Sequence, residues 1–246
     1  PHDPEIRETR RIGRRTHTTE PAALSGVAGS FFWPLRRLKV RVMTTRSLFP
    51  TLIRTESLGD ADLATRLEHV CWVLAEDDQA GNEWCEKQGY GGYTSYASLD
   101  DLPERFPEFA ELKALLDPIA ASFAEELLWD MAGLSLQLDA IWVNILEPDF
   151  GHSNHIHPGS VISGTFYVAI PDGAARLKLE DPRLSRMMAA PQLRDDVPED
   201  RQRFVYLAPE AGQAIMWESW LRHEVPPNMG EEPRVSISFN YALKRA

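Results

Sequence analysis

His155-Ile156-His157-Pro158-Gly159-Ser160-Val161-Ile162-Ser163-Gly164-Thr165-Phe166-Tyr167-Val168 is the stretch on which the reading of this chain turns. Two histidines stand two apart, then a Pro-Gly turn, then an apolar run rich in β-formers. Residues i and i+2 of a strand point to one face, so the two imidazoles can converge on one ion, with Pro158 ending their strand. Working outward, residues 140–146, 161–170, 175–179, 204–207, 213–217 and 234–242 all read as strands. Pro148-Asp149, Pro171-Asp172-Gly173, Asp181-Pro182 and Pro226-Pro227-Asn228 mark the turns between them. Many short strands with regular turns predict a sandwich or jelly roll.

Upstream the period changes. Leu63, Leu67, Val70, Cys71 and Leu74 fall at i, i+4, i+7, i+8 and i+11, one face of a helix. Asp60 and Asp62 suit its N-terminal end, and Cys71 is a core position. Residues 81–98, with Gly89, Gly91, Gly92, Tyr90, Tyr93 and Tyr96, read as a loop or irregular strand whose tyrosines could wall a substrate mouth. Residues 105–131 keep a helical period through Phe109, Leu112, Leu116 and Phe123, and Pro118 predicts a kink or two helices. Helices followed by strands give an α+β order. The expected organisation is a single domain over residues 47–246, with helical support at 58–131 and a β core at 138–243.

The 246 residues carry a net charge of −11, unevenly placed. Residues 1–46 hold ten Lys/Arg and four Asp/Glu, so the remainder holds 16 against 33. An acidic body argues against a nucleic-acid surface, which needs clustered Lys and Arg. Two readings compete for the basic segment 1–46: a targeting or interaction tail, and a disordered extension ahead of a native start at Met43. No apolar run approaches the ~20 residues that span a bilayer. With Cys71 and Cys85 as its cysteines, the chain shows neither a disulfide framework nor a CxxC metal motif. A soluble, cytoplasmic protein is the expectation.

His223, just past the strand at 213–217, completes a set of three histidines with His155 and His157. The common non-haem iron site has two histidines and a carboxylate, with open positions for cosubstrate and dioxygen. Here His157 stands where the aspartate usually does, and three neutral ligands leave more charge on the metal for an anionic cosubstrate to offset. Asp149, Glu180 or Asp181 could instead join the metal. His152 lies on the wrong phase to share the face. Downstream, Arg234 and Ser236 share a strand face. A guanidinium forks onto a carboxylate with two hydrogen bonds, and a hydroxyl adds a third. Tyr167 can donate another. These parts describe a non-haem Fe(II) oxygenase using 2-oxoglutarate and dioxygen.

The blocks His155 to Val168, Leu179-Glu180-Asp181-Pro182-Arg183, Trp220-Leu221-Arg222-His223 and Arg234-Val235-Ser236-Ile237-Ser238-Phe239-Asn240 resemble a 2-oxoglutarate–Fe(II) oxygenase family with the pattern HIHP…SGxYY…DPR…WLxH…RISISFN. The resemblance covers about residues 140–242. It implies a double-stranded β-helix of the prolyl-hydroxylase type. It also implies iron at His155 and His223 with His157 in the aspartate's place, and a cosubstrate held by Arg234, Ser236 and Tyr167, with Asn144 nearby. The implied reaction hydroxylates a small molecule or peptide and releases succinate and CO2. Tyr93, Tyr96 and Trp217 are candidate substrate walls. Two rivals stay open: a three-histidine cupin-like dioxygenase that takes no 2-oxoglutarate, and a non-catalytic metal- or ligand-binding β-barrel.

Overall fold

Residues 44–246 are described by a computed structural model. Nearly all of the basic segment, residues 1–43, lies outside the described residues. Every element belongs to one unit, Leu48–Ala246. In chain order the elements are β1 (Ile53–Ser57), α1 (Ala61–Asp77), α2 (Gln79–Gln88), β2 (Gly92–Thr94), α3 (Leu102–Arg105), α4 (Pro107–Glu126), β3 (Leu134–Leu146), β4 (His152–His155), β5 (Ile162–Ala169), β6 (Leu177–Glu180), β7 (Phe204–Leu207), β8 (Gln213–Glu218), β9 (His223–Val225) and β10 (Arg234–Arg245).

The strands form two antiparallel sheets: six strands in the order β1-β8-β5-β10-β3-β2, and four in the order β4-β9-β6-β7. The arrangement is jelly-roll-like. Helices α1 and α4 pack on the outer face of the larger sheet, α1 on β5 and α4 on β3. Strand alternation explains how one sheet serves two purposes. In β10, Val235, Ile237 and Phe239 join the core under the helices. The residues between them, Arg234, Ser236, Ser238 and Asn240, line a cavity on the opposite face. β5 and β8 obey the same rule: Phe166, Val168, Ala214 and Met216 meet the helices, while Tyr167, Ile215 and Trp217 pack between the sheets against Leu177 and Leu179 of β6. Gly164 sits where β5 runs closest to its neighbours. A Cβ there would strike the Phe239 ring and lie 2.8 Å from the Ile215 carbonyl oxygen.

Helix α1 forms as its period predicts. Asp60 caps it by accepting from the Leu63 N–H at 2.9 Å, and Leu63, Leu67 and Cys71 are fully buried. Two expectations need correction. Residues 81–88, the first part of the stretch 81–98 read as loop or irregular strand, belong to helix α2, capped by Asp78 on the Gly81 N–H at 3.0 Å and ended by Gly89 at φ 66°. Its buried positions are Gly81 and Cys85, too few to show an apolar period. Nor does Pro118 divide α4, which runs unbroken across it. An interior proline costs about 3 kcal/mol, whereas fully burying one large apolar side chain gives about 1.5–3 kcal/mol. Leu112, Leu116 and Phe123 are all fully buried, so packing outweighs the break. The chain interrupts its helix earlier, at Phe106, with Pro107 starting α4. Among the described residues, no helix is long and apolar enough to cross a membrane.

Candidate metal centre and cosubstrate pocket

A cavity of about 370 Å³ opens between the two sheets. At it, His155, His157 and His223 bring one nitrogen each within 4.8 Å of one another. Strand pairing sets two of them, since His155 of β4 lies opposite His223 of β9. Strand β4 stops at His155, so His157 reaches the site from the turn beyond it. The His157 N–H donates to the Ser219 carbonyl at 3.1 Å, which holds that turn against the chain leading to β9. The His155 and His223 rings lie 4.3 Å apart between centroids, and the Nε2 atoms of His157 and His223 are 3.2 Å apart.

Backbone carbonyls orient two of the rings. His155 Nδ1 donates to the Ser153 carbonyl at 2.7 Å and His223 Nδ1 to the Leu221 carbonyl at 2.9 Å. Each bond fixes the hydrogen on Nδ1 and leaves the Nε2 lone pair for a metal. Burial lowers the pKa of His157 to about 4 and that of His223 to about 3. Both rings are therefore neutral at pH 7, the form that ligates.

The carboxylate alternatives are engaged elsewhere. Asp181 accepts from Arg183 Nη2 at 2.8 Å and Nε at 2.9 Å. Glu180 accepts from Asn154 at 2.9 Å, and Asp149 is exposed. Among the described residues, the three histidines are the group that gathers three potential ligands. His152, expected on the wrong phase to share the face of His155, lines the same cavity, because the strand register shifts between the two residues. Its ring is 2.7 Å from the Tyr90 hydroxyl, and burial lowers its pKa to about 4.

Arg234 lies at the same cavity and is 3% exposed. Its Nη1 donates to Ser236 Oγ at 3.2 Å, and its guanidinium carbon stands 5.1 Å from the centre of the Tyr167 ring. Burial lowers the Arg234 pKa, and among the described residues no carboxylate offsets its charge. Arg234 Nε, Tyr167 Oη and Trp217 Nε1 are all buried with no hydrogen-bond partner among the described residues. Buried donors left unpaired cost about 1–3 kcal/mol each. The Arg234 Nε and the Tyr167 hydroxyl beside it describe a berth for an anion with carboxylate geometry, while Trp217, in the strand row of Ser163 and Asn240, lies toward the histidines. Iron beside three imidazoles and a dicarboxylate beside these donors fit the residues present.

Asn144 also faces the cavity, held by Thr94 Oγ1 at 3.0 Å and by its own bond to Ser238 Oγ at 3.1 Å. Trp217 lines the cavity edge-on to His223, with centroids 4.7 Å apart. Tyr96 stands at the exposed rim, its ring 5.2 Å from Trp142. Tyr93 does not line the cavity. It is 4% exposed and its hydroxyl donates to Asp78 at 2.9 Å; in β2, the alternation that turns Tyr93 into the core leaves Thr94 facing the site. Sequence reasoning missed Trp84, Trp142, Ser238 and Asn240 as lining residues. For the last two a signal existed, because the every-second-residue pattern begun by Arg234 and Ser236 simply continues.

Comparison with known proteins agrees with this geometry. Residues 140–240 match the family model described as "Putative 2OG-Fe(II) oxygenase". No curated protein matches the chain in sequence. Among solved structures, a Pseudomonas putida prolyl-4-hydroxylase is similar, with a TM-score of 0.50 and 15% identity over 78% of this chain and 88% of the other. The epimerase SnoN from nogalamycin biosynthesis, solved with Fe3+, alpha ketoglutarate and nogalamycin RO, gives 0.54 and 14% over 80% and 82%. HygX from Streptomyces hygroscopicus, with nickel and 2-oxoglutarate bound, gives 0.52 and 13% over 78% and 82%. At these identities the likeness is one of fold. With a matching family model over the strands that build the site, residues 140–240 are similar to the 2OG-Fe(II) oxygenase family.

Proposed function

We propose that the chain is a 2-oxoglutarate-dependent hydroxylase whose eight strands β3–β10 form a double-stranded β-helix. Strand order supports that reading of the fold: the odd strand β3 and then β5, β8 and β10 share one sheet, while β4, β6, β7 and β9 share the other. His155, His157 and His223 hold Fe(II) through their Nε2 atoms. Arg234, Ser236 and Tyr167 bind the far carboxylate of 2-oxoglutarate.

The observation that carries the proposal is the buried Arg234 guanidinium at the cavity, whose Nε, like the hydroxyl of the neighbouring Tyr167, has no hydrogen-bond partner among the described residues. A cupin-like dioxygenase without 2-oxoglutarate would leave the buried Arg234 charge with no role and, among the described residues, no counter-ion. Bound iron and 2-oxoglutarate together supply the oxidising chemistry, with succinate and CO2 as by-products. The protein's own task is to orient the cosubstrate, to keep the rings neutral, and to hold a substrate C–H near the metal. Tyr96, Trp142 and Trp84 wall the approach and hold the substrate, a small molecule or peptide side chain. The test is succinate release that requires Fe(II), dioxygen and 2-oxoglutarate, assayed over a panel of peptides and small metabolites. Turnover that persists without 2-oxoglutarate, or that is untouched by Arg234→Ala, would refute the reading.

A further inference from the structure

Strand β4 carries His155 and is thinly held. It lies at the edge of the smaller sheet, with β9 as its one neighbour there. Its register holds at His152 opposite Val225 and at His155 opposite His223, and shifts between them. A bulge of this kind leaves a residue unpaired and bends the strand. His223 is better placed, in a strand paired on both sides, to β4 and to β6. The two rings reach one ion only while the bulged edge keeps His155 opposite His223.

One side chain of β4 reaches past β9 to β6. His155 and Leu179 lie opposite His223 from its two sides, so the three form a row across the sheet. Leu179 packs between the sheets, and alternation turns Glu180 to the outer face. There Asn154 Nδ2 donates to Glu180 Oε2 at 2.9 Å. A carboxylate only accepts, so the amide nitrogen is the atom that faces it, and a bond to a charged acceptor is among the stronger ones. Asn154 Oδ1 is buried with no partner among the described residues, so the bond to Glu180 is what holds this side chain. Glu180 is itself anchored, its N–H donating to the Arg222 carbonyl at 3.0 Å. Its side chain is 17% exposed, against 53% for Arg222, whose Nε stands 3.7 Å away; a pair so loose and wet contributes little.

We propose that Glu180 is a positioning residue for the metal: through Asn154 it ties the bulged edge strand to β6 and so keeps His155 opposite His223. The proposal rests on reading the three histidines as the iron site. Spacing alone made Glu180 a candidate ligand; its carboxylate instead acts from the outer face of the sheet and does not touch the ion. Loss of the bond frees β4 at its bulge and displaces His155, while His223 keeps its place in the middle of the sheet.

The experiment uses Co(II) alone as probe on the full chain, with affinity read by calorimetry and coordination geometry by the visible d–d spectrum. Glu180→Ala and Asn154→Ala should each weaken Co(II) binding about 10-fold, the low end of what loss of an outer-shell partner costs, and should change the spectrum in the same way. The double variant should be no weaker than either single one, because both act through one bond. Glu180→Gln, whose amide oxygen still accepts from Asn154, should keep the wild-type spectrum and an affinity within a few-fold. Arg222→Ala should change neither. Should Glu180→Ala fail to fold, Asn154→Ala decides. If the alanine variants bind Co(II) with wild-type affinity and spectrum, if their losses multiply in the double variant, or if Glu180→Gln loses as much as Glu180→Ala, the proposal is overturned while the metal site stands. If the wild type takes up no Co(II), or His223→Ala changes nothing, both fall.

Discussion

At the buried end of the cavity Arg234, Ser236, Ser238 and Asn240 follow one another at every second position of one strand; at the exposed rim Trp84, Tyr96 and Trp142 come from a helix, a turn and another strand. The first set is fixed by pairing, since β10 is hydrogen-bonded on both sides, to β3 and to β5. Moving one of its residues means moving the sheet. The second set is held by aromatic edges, such as Tyr96 on Trp142, worth about 0.5–1.5 kcal/mol. The pairing makes the buried end suited to unvarying chemistry, binding metal and cosubstrate. The rim suits a substrate-specific surface that can change without disturbing the sheet.

Breaking the buried end should have the largest effects. His223→Ala is expected to abolish metal uptake, because it removes a ligand and the partner strand's anchor opposite His155; metal titration by calorimetry checks this. Arg234→Ala should cost 2-oxoglutarate binding about 2–5 kcal/mol, as loss of one partner of a buried charged pair does. Arg234→Lys should recover little of it, since an ammonium lacks the planar fork. Binding of 2-oxoglutarate to metal-loaded protein reads both.

Acid should strain the same end of the molecule. The folded-state pKa values of His152, His157 and His223 lie below the ordinary histidine value, at about 4, 4 and 3. An unfolded chain takes up these protons near pH 6.5 while the folded one does not, so the unfolded state binds more protons and stability rises with pH. The metal-free protein should be fully stabilised above about pH 6.5 and lose stability as pH falls from there toward 5. Thermal melts across that window check the slope, and a flat profile would contradict the burial of neutral rings. The smallest effect is expected at the rim. Tyr96→Ala should leave metal and 2-oxoglutarate binding unchanged and raise the KM for substrate. If it weakens 2-oxoglutarate binding as much as Arg234→Ala does, the division between the two ends is wrong.

The same division explains what the sequence could tell. Arg234 and Ser236 were legible because strand alternation converts spacing into facing; His155 and His223 meet instead by strand pairing, and His157, expected on the strand face of His155, arrives from the turn beyond β4. Helix α1 was legible because its buried stripe is continuous. Helix α2 was not, since it is held by caps at Asp78 and Gly89 and buries almost no apolar surface. Tyr93 was misassigned for a related reason: in a three-residue strand nothing local tells which face meets the core. Trp142 was hidden inside an apolar run, where period alone does not separate the helix-facing Ile141 and Val143 from the cavity-facing residue between them. Rim residues are brought together by tertiary packing, and no spacing announces it.

The central claim is that one cavity holds a metal on three histidines and a dicarboxylate on Arg234. The most direct measurement is anaerobic: Fe(II) and 2-oxoglutarate added to the apoprotein, with the visible charge-transfer band of the chelate followed by absorbance. The band should appear in the wild type and be absent in both His223→Ala and Arg234→Ala. A protein that binds Fe(II) and shows no band on saturation with 2-oxoglutarate, or a band that survives Arg234→Ala undiminished, would contradict it.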